Sequence, residues 1–240
     1  MCHESSGVAL NESIGIGKGT VRLEDFDKAD LIVVVGQNPG TNHPRMLSAL
    51  KSAKKSGASI LSINPLKETG MRRFRHPQSP IDMLGAGTQI SDDHVDIKVN
   101  GDMALFRAIG SIILDKGVHD MDFINLNTTG FLDYANIAKA VDWDLTEDLT
   151  GQSRDRIYEI SDYFCRSKRT IVCWAMGITQ HKNSVNTIRE IMNVLLLKGD
   201  IGREGSGPCP VRGHSNVQGD RTVGITHAPG KFFIEKLSKE

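Results

Sequence analysis

Apolar and polar positions along this chain alternate between two periods. The stretch "ADLIVVVGQNPG" holds a continuous apolar run, Leu31 to Val35, ended by Gly36. That run is too apolar for a strand with one face in water and suits a strand buried on both faces, as in a parallel sheet. After the loop "GQNPGTNHP", Pro44 opens a segment in which Met46, Leu47, Leu50 and Ala53 recur at helical spacing, while Lys51, Lys54 and Lys55 take the polar side. Gly57 stops it. "ASILSINP" then predicts a second short strand ending at Pro65, which completes a strand, helix, strand unit of the length a right-handed crossover needs.

The alternation continues. "HVDIKV" reads as a strand, and "GDMALFRAIGSIILDKG" as a helix with Met103, Leu105, Phe106, Ile109, Ile112 and Ile113 on a broad apolar face. "MDFINLNTTGFLDYANIAKAVDW" is mixed and predicts a helical excursion; Ser153 then offers an N-cap to a further helix. "RTIVCWAMG" predicts another strand, followed by a long amphipathic helix with Ile188, Ile191, Met192, Leu195 and Leu196 toward a core. After Gly199, "IGREGSGPCPVRGHSNVQGDRTVG" shows neither period. The sum is an α/β fold, a doubly wound, mostly parallel sheet with flanking helices. Residues 1–240 are expected to form one such domain, with 203–240 a loop and return segment toward a neighbouring domain.

Composition narrows the partners. Lysine plus arginine balance aspartate plus glutamate at 29 each, so no overall field favours nucleic acid or an anionic membrane. Any anionic ligand must be met locally. No run approaches a membrane span and no signal-peptide pattern opens the chain, which predicts a cytoplasmic protein. Cys2, Cys165, Cys173 and Cys209 show neither CxxC pairs nor iron-sulfur spacing.

Doubly wound sheets bind ligands beyond the carboxyl ends of their strands. Three strand ends lead into polar loops: Gly36 into "QNPGTNH", Ile63 into "NPLKE" and Trp174 into "AMGITQHKN". Each offers backbone N–H groups near turn residues and polar side chains suited to phosphates and purine edges. Such turns are also simply how strands end, so no single loop decides; together with the glycine-rich segment they point to a nucleotide-like ligand. "GIGKGT", Gly15 to Thr20, lacks the spacing and the preceding strand of a phosphate loop, and no GxGxxG fingerprint is present. His76, His94, His181, His214 and His227 have no regular ligand spacing, and "MRRFRHP" reads as a solvated basic patch. Cys2, beside His3, reads as either a packed or a reactive thiol; Arg212 either grips an anion in a bidentate fork or pairs structurally.

Taken in order, "MCHESSGVAL", "LIVVVGQNPGTNHP", "INPLKE", "CWAMGITQ" and "PVRGHSNVQGD" resemble the catalytic subunits of molybdopterin-dependent oxidoreductases of the DMSO-reductase family, specifically formate-dehydrogenase-like alpha subunits. The resemblance implies a Rossmann-like fold and a bis(molybdopterin guanine dinucleotide) cofactor with molybdenum, or tungsten in its place. It implies two-electron oxidation of formate or a similar small substrate, with an electron-transfer partner it does not identify. Cys2 matches the position that supplies cysteine or selenocysteine to the metal, His3 the histidine that takes the proton, and Arg212 the arginine that orients formate. Guanosine and pyrophosphate contacts are implied for Gly36, Asn38, Asn64, Met176, Gly177 and Gln180, and pterin-side contacts for Gly213, Asn216, Val217 and Gln218.

Two departures matter. Related proteins often carry aspartate where this chain has Asn64, which alters the donor and acceptor set offered to guanine. Family members also have an N-terminal region, often with an iron-sulfur cluster, and a further C-terminal domain; the chain is therefore expected to be a piece of a longer subunit. A non-catalytic nucleotide-binding module and an inactive remnant stay open beside the enzyme.

Overall fold

The computed structural model describes residues 2–80, 85–214, 216–226 and 228–239. Five strands form one sheet: β1 (Leu31–Val35), β2 (Ser59–Ile63), β3 (Asp93–Val95), β4 (Thr170–Trp174) and β5 (Gly207–Pro210). Their order is β3-β2-β1-β4-β5 and every pairing is parallel, with Leu31 level with both Ser59 and Thr170. β1 is thus the centre from which the chain winds outward twice. The α/β class and the doubly wound parallel sheet expected from the apolar runs are what the chain builds.

Both faces of the sheet are covered, which is why β1 shows no polar alternation. Leu31, Val33 and Val35 face one layer with Leu61, Ile63, Val172 and Trp174. Helices Glu4–Ile14, Asp102–Asp115, Arg154–Arg166 and Ser184–Leu197 supply its other side. Ile32 and Val34 face the opposite layer with Ile60, Ile171 and Cys173, closed by Leu47, Leu50 and Ala53 of helix Pro44–Lys55. Each of the five buried apolar residues of β1 is worth roughly 1.5–3 kcal/mol of burial.

The expected helices are present, and Ser153 caps its helix by accepting from the Arg156 N–H. The helical excursion resolves into Met121–Asn127, Phe131–Lys139 and Trp143–Thr150. Two expectations need correction. Leu196 is only partly buried; Val194 and Leu197 take the core places beside Leu195. The segment after Gly199 is not without regular structure: it carries β5, Val217–Thr222 and Lys231–Leu237. Its strand hides from periodicity because Gly207-Pro208-Cys209-Pro210 contains residues poorly suited to strands, tolerated at a sheet edge where fewer ladder bonds are needed.

The winding reverses between β1 and β4, and the loops leaving them part in opposite directions. At this point Gly36 has φ +57° and its carbonyl accepts from the Gly177 N–H at 3.0 Å. A Cβ on Gly36 would stand 2.8 Å from the Gly177 backbone, and one on Gly177 would stand 2.6 Å from Gly36. Gly36→Ala is therefore expected to cost well over 2 kcal/mol, beyond the roughly 1 kcal/mol of the left-handed backbone alone. Gly117→Ala shares the left-handed backbone (φ +64°) with nothing within 4 Å and should cost only about that smaller amount. Urea unfolding of the two variants checks the difference, and equal costs would contradict the close-approach account.

Candidate active site

Cys2 and His3 precede helix Glu4–Ile14, which packs against the helix Ser184–Leu197 and the end of β4. The Cys2 carbonyl accepts from Thr179 Oγ1 at 2.6 Å, and Ser5 Oγ donates to the Thr179 carbonyl at 3.2 Å. The start of the described chain is thereby fastened to the loop after β4. His3 is 1% exposed and Ser6 fully buried. Trp174 Nε1 donates to Ser6 Oγ at 2.9 Å, and Ser6 Oγ lies 3.0 Å from His3 Nδ1. His3 Nε2 is buried without a hydrogen-bond partner. Burial holds the His3 imidazole down to a pKa of about 4, reinforced by the Arg212 charge and, less, by His43, against an opposing Val211 backbone contact. The ring is neutral near pH 7.

Arg212 arrives from the other side of β4. β5 runs into Val211, whose N–H donates to the Trp174 carbonyl at 2.8 Å, so the ladder carries Arg212 past the sheet edge. His43 Nε2 donates to the Arg212 carbonyl at 3.0 Å, and Gln37 Nε2 lies 3.2 Å from His43 Nδ1. That bond to the Arg212 carbonyl leaves Nδ1 as the ring atom that faces the Gln37 amide. The guanidinium spends one donor, Nη2, on the Gly17 carbonyl at 3.4 Å, while Nε and Nη1 are buried without partners. Burial first, and Arg221 second, lower the Arg212 pKa. Arg221 itself pairs with Glu4.

Cys2, His3, Arg212 and Val217 all line one cavity of about 320 Å³, together with Glu4, His214, Asp220, Arg221 and Ile225. The structure also brings other expected residues into pairs. Gly36 meets Gly177, Met176 Cε stands 3.2 Å from where a Gly213 Cβ would be, and Gln218 Oε1 accepts from the Gly19 N–H at 3.1 Å. Asn38 caps the turn Pro39–Asn42 by accepting from Thr41 N, and Gly40 touches Gly70, joining the loops after β1 and β2. Asn64 donates its amide to the Leu66 carbonyl and Glu68, which leaves Oδ1 as the face it can offer a ligand. Asn216 (φ +56°) opens Val217–Thr222 with a left-handed turn, and Gln180 is exposed beyond Met176–Thr179.

Several site residues had no signal in the sequence. His214, expected to be solvated or supporting, has Nδ1 3.6 Å from Cys2 Sγ. "GIGKGT", set aside as a phosphate loop, serves instead as a wall that receives Arg212 at Gly17 and Gln218 at Gly19. Ser6 was detectable only by its helical offset of three from His3. Arg72 and Arg73 are exposed, as a solvated patch would be. His227 lies outside the described residues. Among the described residues no cluster of three metal-ligating side chains stands ready, and no helix is long and apolar enough to cross a membrane.

A family model described as molybdopterin oxidoreductase matches residues 4–238. The chain belongs to the molybdopterin oxidoreductase family. It is 49% identical to an uncharacterized oxidoreductase of Mycobacterium tuberculosis over 246 residues, covering 100% of this chain and 32% of that protein. Formate dehydrogenase H of Escherichia coli is 30% identical over 222 residues, covering 92% of this chain and 29% of that protein. The chain therefore spans about a third of the length of the curated relatives it matches. Acetylene hydratase from Pelobacter acetylenicus shares the fold, with a TM-score of 0.69 at 17% identity over 85% of this chain and 25% of that one.

Two outcomes follow from the site's geometry. Ser6→Ala removes the atom shared by Trp174 Nε1 and His3 Nδ1 and leaves both buried without it, which should cost about 2–3 kcal/mol in urea unfolding; a loss under about 0.5 kcal/mol would contradict the relay. Asp102, 6% exposed at the start of Asp102–Asp115, has its carboxyl raised by burial to a pKa of about 6 from an ordinary 3.8. The folded state then holds a proton that the unfolded state releases, so this stabilisation is full below pH 3.8 and lost as pH rises through 6. Asp102→Asn should therefore gain on the order of 2 kcal/mol over the parent at pH 8 and nothing at pH 4. Paired thermal melts across that range measure it, and a gain independent of pH would contradict it.

Proposed function

We propose that this chain is the cofactor-holding part of a formate-dehydrogenase-like subunit that oxidises formate, or a similarly small substrate, by two electrons. The observation that carries the reading is the convergence of Cys2, His3 and Arg212 on one small cavity; Arg212 also keeps Nε and Nη1, and His3 keeps Nε2, buried without a partner among the described residues. Buried donors without partners are costly unless something satisfies them. The chain's residues fit a bis(molybdopterin guanine dinucleotide) group. Asn38, Asn64, Met176 and Gln180 stand on the segments that leave β1, β2 and β4 at their carboxyl ends, where a dinucleotide half would be held, and Gly213, Asn216, Val217 and Gln218, on the segment after β5, would meet the pterin. Cys2 would give the metal a soft thiolate ligand, and the bound group, with molybdenum or tungsten, would supply the two-electron redox chemistry.

The protein's own contribution is binding and proton handling. Arg212 grips a small carboxylate with the planar donors it holds in reserve. The neutral His3 ring has room to take a proton at Nε2 when Nδ1–H donates to Ser6, and a bound anion offsets the Arg212 charge that holds the ring's basicity down. A cytoplasmic setting agrees with four unpaired cysteines.

In the full subunit, metal and nucleotide analysis should find molybdenum or tungsten with two guanine nucleotides per chain; nucleotide without metal would sink the proposal and favour a binding module. Cys2→Ser should lower turnover at least about a hundredfold while cofactor stays bound. Arg212→Lys, losing the bidentate fork, should raise the KM for formate about 10–100-fold, the worth of 1.5–3 kcal/mol of charged hydrogen bonding; an unchanged KM would argue against formate.

A further inference from the structure

On the opposite face of the sheet from His3, Cys173 of β4 and Cys209 of β5 stand level in the parallel register. Cys173 is fully buried in the second apolar layer, and Cys209 packs partly buried against that layer. Cys209 also lines a mostly apolar groove of about 800 Å³ with Phe26, Met46, Phe74 and Val211, so an outside reagent reaches it. Level neighbours in a parallel sheet lie about 4.8 Å apart, inside the Cα range that a disulfide spans. Their side chains run parallel, so the Cβ spacing exceeds the roughly 3.8 Å that an S–S bond prefers and must shrink by about an ångström. β5 can supply that movement: among the described residues it is a four-residue edge strand laddered to β4, its outer side is held by the Thr20 N–H donating to the Pro208 carbonyl at 3.2 Å, and Pro208 and Pro210 have no N–H to add to that tether.

We propose that Cys173 and Cys209 form a reversible disulfide with low-molecular-weight disulfides as oxidant, a modification site separate from the cofactor cavity. The Cys209 thiolate attacks one sulfur of oxidised glutathione, forming a mixed disulfide and releasing one glutathione thiolate. The Cys173 sulfur then attacks the Cys209 sulfur and releases the second. Two protein thiols are oxidised, one glutathione disulfide is reduced to two thiols, and the two protein protons end on the glutathiones. The strain of drawing the strands together makes the bond easy to reduce. β5 continues through Val211 to Arg212, so the same closure bears on the guanidinium's aim.

Incubating the natively folded chain with oxidised glutathione, then trapping, digesting without reductant and mapping by mass spectrometry, tests this. The expected product has lost two hydrogens, joins the tryptic peptides Thr170–Lys182 and Glu204–Arg212, and reverts with dithiothreitol. It persists in a chain carrying Cys2→Ser and Cys165→Ser. Adding Cys173→Ala should leave a stable glutathione adduct on Cys209, and adding Cys209→Ser, at a partly exposed position, should leave Cys173 unmodified. A lasting glutathione adduct on Cys209 beside free Cys173 in the parent chain, a link through Cys2 or Cys165, or no reaction would each overturn the proposal.

Discussion

The contact between Gly36 and Gly177 is the constraint on which the rest of the site depends. Two backbones meet at a distance that no side chain permits, bonded carbonyl to N–H at 3.0 Å. This closes β1 and β4 together at their carboxyl ends while the chain winds away from them on opposite sides. Everything polar is then delivered to the rim: the loops after β1 and β2 through Gly40 and Gly70, the loop after β4 through Met176, and the tail of β5 through Arg212. A parallel sheet needs its hydrophobic layers on both faces, so a rim of this kind is the remaining place where polar groups collect.

Chemistry at that rim is set by what holds each group. His3 is not a free histidine near a chain end. Trp174, a buried strand residue, fixes Ser6, and Ser6 meets Nδ1, so the sheet core decides the ring's orientation. Arg212 is held by its backbone rather than by its charge: Val211 is laddered to β4 and the Arg212 carbonyl is taken by His43, while two of its guanidinium nitrogens stay uncommitted. A guanidinium with a carboxylate partner already in place would have its charge neutralised and its bidentate fork occupied. Glu4, the nearby acid, pairs with Arg221 instead.

The sheet was legible because Leu31–Val35 and Ile171–Trp174 are apolar at every position, which only a doubly covered strand sustains. Helices with a stripe at 3.6 spacing were equally plain. β5 was not, since glycine and proline mask a strand whose place is fixed by its neighbour rather than by its own propensity. Cys2, His3 and Arg212 were singled out through the ordered motifs of a family, whereas their supports were silent: Ser6, Gln37, His43 and Gly17 act through contacts between segments up to 195 residues apart. Periodicity cannot report such contacts. His214 reaches Cys2 across 212 residues for the same reason.

On the proposed reading, the rim built around Gly36 and Gly177 holds the cofactor. Amide hydrogen exchange of the full subunit, compared with and without bound cofactor, addresses it most directly. Slowed exchange is expected in residues 36–43, 64–69, 176–181, 212–214 and 216–218, with the helices between 121 and 150 unchanged. Equal exchange at those loops in both states, or protection confined to the β3 edge or the 121–150 helices, would contradict it.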